Sequence, residues 1–137
     1  MEHTQIVQIL LDKGADINTL GGKYGNALQA ATIRGYSQIV QILLDKGADV
    51  NAQGGEYGNA LQAAAYRGNS QIVQILLDKG ADVNAQGGFY GNALKAAYSR
   101  GCGQIVQMLL NYQLHIDEPP LKRLKSFLGR LMYKILE

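Results

Sequence analysis

The sequence predicts an all-α repeat solenoid, and the prediction rests on two recurring blocks and their patterning. Tyr24-Gly25-Asn26-Ala27-Leu28 returns at Tyr57 to Leu61 and at Tyr90 to Leu94, a fixed step of 33 residues. Gln38-Ile39-Val40-Gln41-Ile42-Leu43-Leu44 keeps the same step at Gln71 to Leu77 and Gln104 to Leu110, with an earlier copy at Gln5 to Leu11. The second block carries helical rather than alternating apolar spacing. Units of this length cannot bury an apolar face alone and are stable only when stacked on neighbours.

In chain order, residues 1–20 read as half a unit: a helix from Thr4 to Lys13 and the finger strand Gly14 to Asn18, with no partner helix before them. Ile6, Val7, Leu10 and Leu11 are therefore expected to pack forward onto the next unit while part of their surface lacks its usual neighbour. That edge suits either a longer array or a self-association contact. Full units follow at 21–53, 54–86 and 87–118.

The unit from Gly54 to Gln86 shows the design. Asn59 is placed to cap a first helix that starts at Ala60, with Leu61 and Ala64 on one face, and Gly68 ends it. Ser70 to Lys79 then puts Ile72, Val73, Leu76 and Leu77 on a single stripe, a second amphipathic helix closed by Gly80. The segment Asp82 to Gly88 has no helical period and two adjacent glycines, so it reads as an extended hairpin finger. The third unit decays. Gln113 stands where earlier units have glycine, and His115 falls in a degenerate finger. Residues 119–137 form a final basic amphipathic helix whose start is signalled by Asp117, Glu118, Pro119 and Pro120. Leu121, Leu124, Phe127, Leu128, Leu131, Met132, Ile135 and Leu136 fill roughly half its circumference, which suits a cap on the last repeat.

The finger followed by two antiparallel helices resembles the ankyrin repeat. The resemblance is carried by Ala30-Ala31, Ala63-Ala64 and Ala96-Ala97, by Gly35, Gly68 and Gly101 between helices, and by the Gly-Ala-Asp-Val-Asn endings at Gly47 to Asn51 and Gly80 to Asn84. It covers residues 1 to about 118. Asn59-Ala60-Leu61-Gln62 stands where the family usually has Thr-Pro-Leu-His, and asparagine caps as well as threonine. The Tyr-Gly-Asn-Ala-Leu-Gln-Ala-Ala wording is similar to arrays of fungal receptor-like multidomain proteins.

Composition narrows the function. Net charge is +2, but residues 1–116 hold eight Lys and Arg against eight Asp and Glu, so the repeats lack the footprint of a nucleic-acid binder. No apolar run reaches the length of a membrane span and no signal peptide is read, so a cytoplasmic or nuclear setting is expected and a membrane partner is not. Cys102 is the only cysteine, which excludes an internal disulfide, and it reads as a tolerant surface position between helices. With His3 and His115 the only histidines, no nucleophile, base and metal set can be assembled. Neither catalysis nor a cofactor or metal is expected. Asp16, Asp49 and Asp82 are expected to hydrogen-bond their own turns.

A binding surface should instead vary between units. Ahead of Arg34, Arg67 and Arg100 stand Ile33, Tyr66 and Ser99, and the finger tips carry Lys23, Glu56 and Phe89. The family resemblance implies that these sets line one concave groove that meets a protein partner. The three arginines could hold neighbouring carbonyls or recognise acidic groups, and Tyr24, Tyr57 and Tyr90 read as covers for the finger bases. A non-catalytic protein-interaction module is the leading expectation. The alternatives are membrane-surface association through the last helix, or self-association through the open half repeat.

Overall fold

The structure is a computed structural model that describes residues 3–117 and 120–137. Its helices are α1 (Thr4–Asp12), α2 (Ala27–Arg34), α3 (Ser37–Asp45), α4 (Ala60–Arg67), α5 (Ser70–Asp78), α6 (Ala93–Ser99), α7 (Gly103–Asp117) and α8 (Pro120–Leu136). They form two layers. First helices α2, α4 and α6 pack side by side, second helices α1, α3, α5 and α7 make the layer behind them, and each pair α2–α3, α4–α5 and α6–α7 packs across.

The sequence accounts for the close stacking of the first layer. Ala60, Ala63, Ala64, Ala65, Ala93, Ala96 and Ala97 are buried where large side chains would hold the helices apart. Asn26, Asn59 and Asn92 cap α2, α4 and α6, accepting from the amides of Gln29, Gln62 and Lys95 at 2.8–2.9 Å. Ile72, Val73, Leu76 and Leu77 are all buried, as their stripe requires.

The fingers differ from extended hairpins. Among the described residues they contain no strand, only isolated bridges between Gly54 and Gly58 and between Gly87 and Gly91 that close compact turns. Successive tips bond to each other through the backbone: the Glu56 amide donates to the Lys23 carbonyl at 3.0 Å, and the Phe89 amide to the Glu56 carbonyl at 2.9 Å. Glycine makes this approach possible. At Gly88 φ is +67°, and a Cβ there would run into the Tyr57 carbonyl.

A second ladder runs along the finger bases. Asp16, Asp49 and Asp82 each accept the amide two residues on, at 2.9–3.0 Å. Asn18 and Asn51 then accept the amides of Asp49 and Asp82 in the next unit, at 3.0 and 2.8 Å. One residue type thus shapes the turn and its neighbour ties the units.

The ends depart from this pattern. Gly80 holds φ +91° just past α5, whereas Gln113 at the matching place cannot take that conformation cheaply. Helix α7 consequently runs on to Asp117, and His115 lies in helix rather than in a finger. On α1, Val7 and Leu11 pack against the core while Ile6 and Leu10 stay exposed. Next to Val7 lies a mainly apolar cleft of about 240 Å³, lined also by Ala27, Ala30, Ala31, Arg34 and Ile39 among others.

The expected cap is not made in this arrangement. The start signal at Glu118 and Pro119 lies outside the described residues, and from Leu121 onward the large apolar residues of α8 are 45–77% exposed. Arg130 of α8 lies 3.1 Å from His115 Nε2, a polar contact that buries little apolar surface. No described helix is long and apolar enough to cross a membrane.

Two substitutions test this packing. Leu76 is 0% exposed, so Leu76→Ala should cost about 2 to 5 kcal/mol in denaturant melts, with wild-type stability placing it outside the core. Gly80→Ala meets no atom within 4 Å and should cost only the left-handed strain, about 1 to 2 kcal/mol. Gly88→Ala adds a backbone collision and should cost a further ~1 to 3 kcal/mol; equal melting of the two variants would contradict the tip packing.

Candidate functional site

Two features of the sequence converge on the face made by finger tips and first helices. The backbone bonds between tips carry the side chains of Lys23, Glu56 and Phe89 in a row. Gln62 on α4 is buried and donates to the Gly87 carbonyl of the following finger at 2.9 Å, so α4 lies against the finger of the next unit. That offset sets Tyr66, near the end of α4, between Tyr57 of its own finger and Tyr90 of the next.

The rings form a continuous aromatic row. Tyr66 stacks on Tyr90 with centroids 4.7 Å apart, tilts against Tyr57 at 5.4 Å, and Tyr90 meets Phe89 edge to face at 5.0 Å. The Arg100 guanidinium sits over the Tyr66 ring, 5.0 Å from its centroid. These residues surround an open cleft of about 650 Å³ whose other walls are Gly55, Glu56 and Gly88. Phe89 is 83% exposed at its rim.

The hydroxyls are coupled as well. Tyr90 donates to the Tyr66 oxygen, and this bond, with the charges of Arg100 and Arg67, holds the Tyr66 phenol below the usual tyrosine range. Ionising Tyr90 would forfeit that bond, which with partial desolvation pushes its pKa up to about 12.

The residues expected to bind a partner are mostly brought together. Lys23, Glu56 and Phe89 are exposed on the tips, and Arg34, Arg67, Ser99 and Arg100 are exposed at the ends of their helices, with Tyr66 half-buried in the row. Ile33 is corrected. It is buried at 9% exposure, because an aliphatic side chain at this edge of the core gains more from cover than from water, so it supports α2 and presents no contact surface. Tyr57 and Tyr90 wall the cleft, and Tyr90 also packs partly buried against the core. Cys102 is half-buried against the core, with its Sγ 3.9 Å from the Arg100 carbonyl. Among the described residues no three His, Cys, Asp or Glu side chains are grouped to hold a metal ion.

What sequence reasoning missed was the joining of Tyr66 to Tyr90. The one signal was Gln62, a polar side chain within a first helix that finds its partner in the adjoining finger.

The tyrosine pair makes a spectroscopic prediction. In an ultraviolet titration Tyr90 should ionise after Tyr66, near pH 12, and Tyr90→Phe should move the Tyr66 transition upward because the donated bond is lost. Tyr66 and Tyr90 titrating together, with Tyr66 unmoved by Tyr90→Phe, would contradict the bond between them.

Compared with known proteins, the chain matches the family model described as ankyrin repeats (3 copies) over residues 1–54 and 53–119. No curated protein matches it. Repeats of this kind are generally protein–protein interaction modules and are typically non-catalytic.

Proposed function

The chain belongs to the ankyrin-repeat family, and from that premise we propose that it is a non-catalytic module whose finger tips and first helices grip a protein partner. The observation that carries this reading is the aromatic cleft between the second and third fingers, with Phe89 exposed on its rim. A ring so placed has no core to fill, and aromatics with adjacent arginine are the residue types that dominate interface energies. The walls are preorganised by backbone bonds and buried caps, so a partner would not have to order them on binding.

The test is a triple substitution. Tyr66→Ala, Arg67→Ala and Phe89→Ala together should weaken capture of a partner by about 1 to 3 kcal/mol. The melting curve should change less than in Leu76→Ala, since Arg67 and Phe89 are exposed and Tyr66 is only partly buried against the core. Undiminished capture by a folded triple variant would remove the groove from the account.

A second reading is favoured by one observation, the exposure of the apolar arc of α8 beside Lys122, Lys125, Arg130 and Lys134. Basic amphipathic helices with such an arc lie on anionic membrane surfaces. Co-sedimentation with phosphatidylserine vesicles, abolished by Phe127→Glu with Leu131→Glu, is the expected result under this reading. Absence of vesicle binding by the intact chain would dismiss it.

A further inference from the structure

Charges in the repeats are sorted by face. Among the eight Lys and Arg of residues 1–116, Lys46 and Lys79 at the ends of second helices pair with Asp12 and Asp45, at 4.0 and 3.2 Å. The acids of that side are occupied: Asp12, Asp45 and Asp78 also accept from Gln8, Gln41 and Gln74, while Asp16, Asp49 and Asp82 hold their own turns. Lys23, Arg34, Arg67, Lys95 and Arg100 belong instead to the tips and first helices and are exposed there. None of these five lies within ion-pair distance of a carboxylate among the described residues. Against them the same face carries a single acid, Glu56.

Resting on the groove reading above, we propose that the partner presents an acidic segment with one aromatic or large aliphatic side chain, which enters the tyrosine cleft while flanking carboxylates meet Arg67 and Arg100. The apolar side chain is called for by the ring walls and by backbone at Gly55 and Gly88, which offer area more than charge. The carboxylates are called for by the exposed guanidinium of Arg67, next to Tyr66 in the chain, and by that of Arg100, seated on the Tyr66 ring. A cationic side chain is disfavoured: one face of the central ring is taken by Arg100, and Arg67 would add repulsion. A nucleic acid is disfavoured because the repeats as a whole are neutral, so no long-range positive field draws in a polyanion.

The experiment measures fluorescence anisotropy of a labelled glutamate peptide with one central phenylalanine against the full chain. Binding should weaken about tenfold or more on replacing the phenylalanine by alanine, and again in the Arg67→Gln, Arg100→Gln variant. Raising salt should weaken it further, and Lys46→Gln, on the other face, should leave it unchanged. Circular dichroism melts of each variant confirm that the fold persists. Absence of binding up to millimolar peptide, equal binding by the lysine-for-glutamate peptide, or equal binding by an oligothymidylate would each overturn the proposal. A protein partner captured through the Tyr66, Arg67 and Phe89 surface yet indifferent to the acidic competitor would overturn the acidic specificity alone and leave the groove standing. Loss of the groove itself would show as capture unaffected by the triple variant.

Discussion

Everything in this molecule depends on how closely one repeat can approach the next. The tips of consecutive fingers exchange backbone hydrogen bonds, Glu56 to Lys23 at 3.0 Å and Phe89 to Glu56 at 2.9 Å, and only a residue without a side chain fits between them. A Cβ on Gly55 would stand 2.8 Å from the Gly25 nitrogen, closer than side-chain carbons approach backbone. The alanines of the first helices impose the same spacing further in, and the Asp–Asn ladder imposes it at the finger bases. Several weak ties act in register. Each net hydrogen bond contributes about 1 kcal/mol, so it is their repetition along the stack that makes the array rigid.

The aromatic row follows from that spacing. Tyr57 and Tyr90 are equivalent residues of successive fingers, and the gap between them accepts one more ring, supplied by Tyr66 from the first helix. The third unit offers Ser99 at the matching place and the first offers buried Ile33, so the row occurs once, in the middle of the array. Repetition therefore builds the frame and departures from repetition build the site. Arg100 completes it from the neighbouring unit by lying on the Tyr66 ring.

Most of the frame was legible in the sequence because each signal was local. Caps at Asn26, Asn59 and Asn92, helix ends at Gly35 and Gly68, and the Ile72 to Leu77 stripe are decided within a turn or two of chain. The site was legible only in part. Exposure of Lys23, Glu56 and Phe89 followed from their place between glycines, but the burial of Ile33 and the joining of Tyr66 to Tyr90 depend on the lateral offset of units, which no single repeat encodes. The length of α7 was partly legible: loss of glycine at Gln113 signalled decay, and the structure resolves that decay as continued helix. The last helix was legible as a helix, yet the apolar arc that suggested a cap remains in solvent here, because amphipathicity states that a face needs cover without stating which surface supplies it.

The central claim, that backbone bonds between finger tips lock the units in register, is most directly tested by amide hydrogen exchange at Glu56 and Phe89. Both side chains are exposed, so a finger held only by its own turn would exchange these amides near the free-peptide rate. Protection at both is expected to approach that of the Leu76 amide in the core. Exchange of the Phe89 amide at the free-peptide rate, with α5 still protected, would contradict it.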